Sequence, residues 1–368
     1  MKAWKFGSLE DYFEKGSSSL TLKAVKASDG DYPVFGAKGL VGSMDTYAEP
    51  SEYISVIKDG AGIGRVATHP AKSSVLGTMQ ILRPKPGYLT RYLSYYLQSV
   101  DLAEKYRTGS TIPHIYFKDY RSEPAPLLPL EEQKRIVAVL DAAFAKLDRA
   151  RANVEANLAD AEELYASCLD GIVDDFCEND RVAITEVCAF KGGSQPPKKN
   201  FVKTPRKGFV RLLQIRDYET DEKAVYVDRN LVTKFCEKDD VMIGRYGASV
   251  GRILTGKEGA YNVALVRTIP DTQKLSKTFL FYYLQSRYFQ SRLLSKSERG
   301  AQNGFNKGDL SQISIPLLPL DQQQTVVETM SAVRKKSNTI SEKCEAQLAD
   351  LDALRQSLLQ RAFAGELT

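Results

Sequence analysis

The sequence predicts an α+β fold: two pseudo-symmetric α/β units separated by two long helices that pair as an antiparallel coiled coil. Three repeated segments carry this prediction. Pro126-Leu127-Leu128-Pro129-Leu130 returns 190 positions later as Pro316-Leu317-Leu318-Pro319-Leu320. The run Tyr95 to Ser99 (Tyr-Tyr-Leu-Gln-Ser) returns 187 positions later as Tyr282 to Ser286. Gly60-Ala61 with Gly64-Arg65 returns at that same offset as Gly247-Ala248 with Gly251-Arg252. Three matches in one order at nearly one offset mean a duplicated unit, and a period this long belongs to repeated domains rather than a solenoid. The 368 residues are ample for two cores.

The elements follow in order. Residues 1–125 form the first globular unit, 126–178 the first long helix, 179–315 the second unit and 316–368 the second helix. Short β-rich runs at Tyr53–Ile57, Met79–Leu82, Ala224–Val227 and Val263–Val266, punctuated by Gly and Pro, read as strands. Each unit closes with an aromatic-rich helix, Leu89 to Lys105 and Ser276 to Leu294, in which the Tyr-Tyr-Leu-Gln-Ser run reads as packing. After Pro129 the apolar positions Val137, Leu140, Phe144, Leu147, Val154, Leu158, Ala161, Tyr165, Cys168 and Ile172 alternate steps of three and four once Arg151 fills a gap, which is a heptad seam. Val326, Met330, Val333, Ser337, Ile340, Cys344, Gln347, Leu351, Leu354, Leu358 and Arg361 repeat it. Each helix is expected to run roughly 40 residues, about 60 Å. One such helix alone would leave its apolar stripe in water, so the two are expected to pack together, with the globular units at opposite ends. The polar seam residues Arg151, Ser337 and Gln347 either fix register or mark where a partner's helix enters.

Composition excludes several classes. Hydrophobic residues make up 43% and charged residues 26%, as in an ordinary soluble protein. No stretch approaches the ~20 apolar residues of a membrane span, and Met1 to Gly7 has no apolar core of signal-peptide length. Cys168, Cys177, Cys188, Cys236 and Cys344 are odd in number and never spaced as C-x-x-C, which argues for a reducing, cytoplasmic setting without disulfides or structural zinc. Two histidines, His69 and His114, are too few for a multi-histidine metal site. Charge follows the repeat. Residues 181–315 hold 24 basic and 13 acidic side chains, whereas 126–180 hold 5 and 13. Cationic globular units with acidic or neutral connecting helices suit contact with phosphate.

Two pairs of loops are the candidates for contact chemistry. The first pair is Gly60 to Arg65 and Arg245 to Arg252. Its glycines suggest either nucleotide binding or a tight strand-to-strand turn; the second copy lacks the Gly-x-Gly-x-Gly spacing, and neither sits in a clear βαβ unit. Its arginines can present a bidentate fork to guanine or phosphate on either reading. The second pair, Arg107 to His114 and Arg299 to Lys307, sets short amide and hydroxyl side chains beside cations, which base edges and phosphates both need.

The whole chain resembles the DNA-specificity subunit of type I restriction–modification systems. The resemblance is carried by Pro126 to Gln133, by its copy Pro316 to Gln323, by the tail Leu358 to Leu367, and by the loops at Gly109 and Gly300. The first helix departs from the pattern, ending Cys168-Leu169-Asp170-Gly171 where the tail reads Ala-Phe-Ala-Gly-Glu, and the second unit opens with an unusually basic stretch, Lys191 to Lys207. The resemblance implies two target-recognition domains, each reading half of an asymmetric bipartite site in double-stranded DNA. It implies a helical spacer that docks two methyltransferase subunits, which bind S-adenosylmethionine and methylate adenine N6, and restriction/translocase subunits that join them. It implies no cofactor and no catalysis in this chain. Consistently, the sequence has no Asn/Asp-Pro-Pro-Tyr/Phe motif and no P-loop. Under this reading the DNA-contacting candidates are Lys38, Arg65, Arg107, Ser110, Thr111, His114 and Lys118 in the first unit. In the second they are Arg216, Arg245, Tyr246, Arg252, Gln302, Asn303 and Lys307. A coiled-coil scaffold whose basic domains bind protein or RNA is the alternative.

Overall fold

The computed structural model describes residues 4–60, 62–109, 113–175, 181–297 and 304–367. The chain divides into two units, Met1–Glu155 with Glu345–Thr368, and Ala156–Cys344.

Unit 1 opens with β1 (Lys5–Ser8), α1 (Leu9–Tyr12) and β2 (Phe13–Gly16), then α2 (Leu22–Lys26). A hairpin of β3 (Tyr32–Gly36) and β4 (Gly39–Met44) pairs with the short β7 (Ser74–Val75). The main sheet has the order β2-β8-β5-β6, built from β5 (Tyr53–Ile57), β6 (Val66–His69) and β8 (Met79–Pro84), with antiparallel neighbours throughout. β5 is buried along its whole length, as its run Tyr-Ile-Ser-Val-Ile predicts for a central strand. Where a continuous helix is expected from Leu89 to Lys105, two form: α3 (Thr90–Ser99) and α4 (Leu102–Tyr106). Val100 is extended, and the Asp101 carboxylate accepts the Glu104 amide at 2.9 Å, so a new N-cap restarts the helix. After α5 (Phe117–Tyr120), β9 (Pro124–Leu127) returns to pair with β1 and leads into α6 (Leu130–Asp175).

β9 explains the tyrosines. Its prolines Pro124 and Pro126 have no N–H to give, and its carbonyls are met by buried hydroxyls. Tyr12 donates to the Ala125 carbonyl at 2.6 Å, Tyr92 to that of Pro126 at 3.0 Å, and Tyr96 to that of Pro124. The Tyr-Tyr-Leu-Gln-Ser run is therefore packing, as expected.

Unit 2 repeats the plan. β10 (Arg181–Ala183) pairs with β19 (Ser314–Pro316), and α7 (Ile184–Val187) leads to β11 (Cys188–Gly192). The main sheet β11-β18-β15-β16 reproduces the first, with β15 (Met242–Gly244), β16 (Ile253–Leu254) and β18 (Leu265–Pro270). β18 starts two residues later than its sequence suggests, because Asn262 Oδ1 accepts the Ala264 amide in a turn. A second sheet holds β12 (Phe209–Leu213), β13 (Tyr226–Asp228), β14 (Phe235–Cys236) and β17 (Gly259–Tyr261), with β12 and β17 parallel. The expected second closing helix also splits, into α8 (Lys277–Gln285) and α9 (Arg287–Ser297). Here the Ser286 hydroxyl accepts the Phe289 amide at 3.3 Å. α10 (Lys307–Leu310) and β19 precede α11 (Leu320–Phe363). Among the described residues no helix is long and apolar enough to cross a membrane.

The long helices span 46 and 44 residues. Within unit 1 the start of α6 lies antiparallel to the end of α11. Asp148 accepts from Arg355 at 2.9 Å, Arg151 pairs with Asp352, and Phe144 lies under the Arg355 guanidinium. Within unit 2 the later part of α6 lies antiparallel to the first part of α11. There Ser337 Oγ donates to the Ala161 carbonyl at 3.0 Å, and Arg334 stacks on Tyr165. Ser337 and Arg151 thus hold register. Gln347 instead faces solvent, as do Ile340 and Leu354, and Arg355 takes the seam place expected for Leu354. The aliphatic stem of Arg355 and its contact with the Phe144 ring fill that place while the charged end reaches Asp148.

One buried group makes stability pH-dependent. His69 is 5% exposed, between the Phe35 and Tyr53 rings, with its Nε2 2.7 Å from Ser55 Oγ. Burial pushes its pKa down to about 4. The folded state therefore resists a proton that the unfolded chain accepts near pH 6.5. Stability present above that pH is lost as pH falls from about 6.5 to about 4, by about 3 kcal/mol in total. Urea midpoints of wild type and His69→Gln at pH 7 and pH 5 check this: the variant should lose much of the wild-type slope.

Candidate nucleic-acid interface

The two candidate loops of each unit meet, and they meet in the same way. In unit 1 the β5–β6 turn closes with Ile57 N–H to the Arg65 carbonyl (2.9 Å), Gly64 N–H to Ile57 (2.9 Å) and Ile63 N–H to Gly60 (3.3 Å). In unit 2 the β15–β16 turn closes with Gly244 N–H to Arg252 (2.8 Å), Gly251 N–H to Gly244 (3.0 Å) and Val250 N–H to Gly247 (3.2 Å). Each bond is the repeat equivalent of the other. Gly64 and Gly251 have φ of +79° and +82°, and a Cβ on either would strike the following helix pair, at Ala103 N (2.9 Å) and Gln290 Oε1 (2.6 Å). Of the two readings of these glycines, the turn is the one the backbone adopts.

The second loop docks onto this turn. Gly60 N–H donates to the Pro113 carbonyl at 3.0 Å, Ile115 N–H to Lys58 at 2.9 Å, and Asp59 bridges to His114. Thr108 and His114 exchange both backbone bonds at 2.9 Å, closing the loop's neck. In unit 2 Tyr246 bridges to Gly304, and Arg245 Nε donates to the Phe305 carbonyl at 3.1 Å. The short helices that follow, α5 and α10, are each closed by an aspartate: Asp119 accepts the Tyr116 amide and Asp309 the Asn306 amide, both at 2.8 Å.

The side chains divide by what already holds them. Arg245 is half-buried, stacked on Tyr246 with the ring centre 5.0 Å away, and lines a small cavity of about 110 Å³ with Asn306 and Lys307. Tyr246 and Lys307 are exposed beside it. Arg252 is exposed and ion-paired to Glu219 at 2.8 Å, next to the 3-10 turn Ile215–Tyr218 that presents Arg216 to solvent. In unit 1 Arg65 and Arg107 are exposed, and Lys118 lies over the Tyr116 ring at 5.7 Å. Lys38 is exposed at the β3–β4 turn, on a different hairpin from these loops. Ser110, Thr111, Gln302 and Asn303 lie outside the described residues. The basic stretch that opens unit 2 exposes Lys198, Lys199, Lys203, Arg206 and Lys207. Cations around a rigid turn, beside an aromatic ring and an asparagine, can contact phosphates and base edges alike.

The family model described as the type I restriction modification DNA specificity domain matches twice, over residues 1–156 and 178–349, one match for each repeat. The chain belongs to this family. Among specificity-domain relatives, the EcoDI specificity subunit of Escherichia coli is 22% identical over an alignment covering 99% of this chain and 89% of that protein. The EcoBI specificity subunit of Escherichia coli is 24% identical, and the alignment spans 70% of this chain and 61% of that subunit. A chain solved in work on complex assembly and conformational transition of the type I R-M system has the same fold, with a TM-score of 0.75 and 19% identity, covering 100% of this chain and 99% of that one. The HsdS subunit of Thermoanaerobacter tengcongensis superposes with a TM-score of 0.51 and 19% identity, covering 99% and 97%. The doubled loop arrangement is thus a property of a specificity-domain pair.

Proposed function

We propose that this chain is the DNA-specificity subunit of a type I restriction–modification complex. Its two recognition domains each read half of an asymmetric, bipartite duplex target. Its long helices set the gap and dock two adenine-N6 methyltransferase subunits, which bind S-adenosylmethionine; restriction/translocase subunits join that assembly. The chain itself is non-catalytic. The observation that carries the reading is one paired-loop arrangement in both family-matched repeats, its glycine turns bonded identically and its second loop bridged to the turn at equivalent positions. Mapping methylated adenines in DNA treated with the reconstituted methyltransferase complex tests it. A two-part motif with one fixed gap is expected, and methylation without such a motif rejects the reading.

Arg245 is held by its Nε bond and by Tyr246, so its guanidinium is presented in one orientation. Arg245→Ala is expected to relax preference at one base position by ~1–3 kcal/mol. Exposed Lys307 acts as a phosphate contact. Lys307→Ala should weaken all sequences alike and reduce the slope of log K against log salt by about 1. Titrations against substituted duplexes at several salt concentrations separate the two; uniform loss from Arg245→Ala would make it a phosphate contact.

A further inference from the structure

Two glutamines that cannot touch DNA are held identically in the two units. Gln133 and Gln323 are both 0% exposed. Gln133 Oε1 accepts the Leu89 amide at 2.9 Å, and its Nε2 donates to the carbonyls of Leu128 (2.9 Å) and Gly87 (3.2 Å). Gln323 Oε1 accepts the Ser276 amide at 2.8 Å, and its Nε2 donates to the carbonyls of Lys274 (2.7 Å) and Leu318 (2.8 Å). Every partner in one unit is the repeat equivalent of its partner in the other. Side-chain identity differs at two of the three (Leu89 against Ser276, Gly87 against Lys274), yet the bonds persist because the amide meets only backbone.

Each glutamine joins three pieces of chain: the residues before α3 or α8, the proline-rich turn, and the first turn of the long helix. A second tie follows, also repeat-equivalent, where Tyr95 donates to Asp141 (2.6 Å) and Tyr282 bonds Ser331 (3.0 Å). A buried amide with three main-chain partners fixes direction as well as distance, because any rotation leaves a buried polar group unmet. An apolar side chain of similar size would fill the space and impose no direction.

We propose that Gln133 and Gln323 are positioning residues: paired latches that fix the angle of each recognition domain on its long helix, and thereby the half-site gap the protein accepts. This rests on the bipartite reading above. The test uses the reconstituted methyltransferase complex. Methylation mapping of the wild type defines the motif and its gap; a wild type without a two-part motif overturns the specificity reading before any variant is compared, and the latch function with it. Duplexes with the gap one base pair shorter or longer are then assayed with wild type, Gln133→Met and Gln323→Met. The latch predicts that preference for the native gap falls about tenfold, while thermal unfolding stays cooperative. Unchanged gap preference, or equal loss on all three gaps, overturns it. Hydrogen exchange in the wild type adds a readout free of variants: the Leu89 and Ser276 amides should exchange as slowly as the core strands, and fast exchange at both overturns the latch.

Discussion

Asp240→Ala is expected to destabilise unit 2 by about 3–5 kcal/mol. Asp240 is 1% exposed and gathers two cations. Arg267 Nε lies 2.7 Å from its Oδ2, Lys277 Nζ donates to its Oδ1 at 2.9 Å, and the Glu237 amide donates to Oδ2 at 2.8 Å. Burial raises the carboxyl's pKa, but the Glu237 and Lys277 hydrogen bonds and the charge of Arg267 outweigh it and hold the group below the usual carboxylate range. Removing the anion leaves Lys277 on the exposed Asp239 carboxylate at 3.0 Å but strips the half-buried Arg267 of its carboxylate, with the Phe235 carbonyl still bonded to it. The cost is that of an uncompensated charge rather than of a lost surface bridge, which is worth ~0–1 kcal/mol. Hydrogen exchange of β15 and β18 under increasing denaturant reads the change locally. A loss under about 1 kcal/mol would show that water already compensates the cations.

Phe144→Ala is expected to cost unit 1 about 3–5 kcal/mol, from lost transfer energy plus the cavity left behind. The ring is 3% exposed, meets Tyr95 edge-on at 5.3 Å, and carries the Arg355 guanidinium 4.1 Å above it. The chain's single tryptophan reports the same unit, because Trp4 packs against this core and against Gly365. Fluorescence-detected urea unfolding should move to a lower midpoint, and an Arg355→Ala control should cost less, since it removes a half-buried stem, the cation–π contact and an exposed ion pair but leaves the Phe144 ring in place. A Trp4 transition that ignores Phe144→Ala would mean that the helices contribute little to this core.

What sequence alone made legible was what repetition and periodicity encode. The duplicated glycine turns sit where the offset of 187 places them, and the α6 seam from Val137 to Ile172 is at least half-buried throughout. Local competition hid the rest. Asp101 and Ser286 cap new helices inside stretches with no Pro or Gly to warn of a break. The α11 seam drifts from the expected heptad because Arg355 serves as a core residue through its stem, which charge alone does not reveal. The buried roles of Gln133 and Gln323 were equally hidden: a polar residue opening a long helix reads as solvated, and only its backbone partners, far along the chain, show otherwise. For the contact loops, residue type indicated which turns gather cations. It did not reveal that Glu219 already pairs Arg252, or that Lys38 stands on another hairpin.

The division of the chain has a consequence for synthesis. Unit 2 is one uninterrupted segment, whereas unit 1 needs Glu345–Thr368 to complete it. Leu359 and Ala362 are buried in the same cluster as Ile136, Leu140 and Phe144. At ~5–20 residues per second a ribosome takes roughly 10–40 s to travel from Glu155 to Glu345. Through that interval the nascent first half carries a bare apolar stripe that its own later residues will cover. The half made first therefore finishes folding last, and chaperone demand in the cell should fall on it.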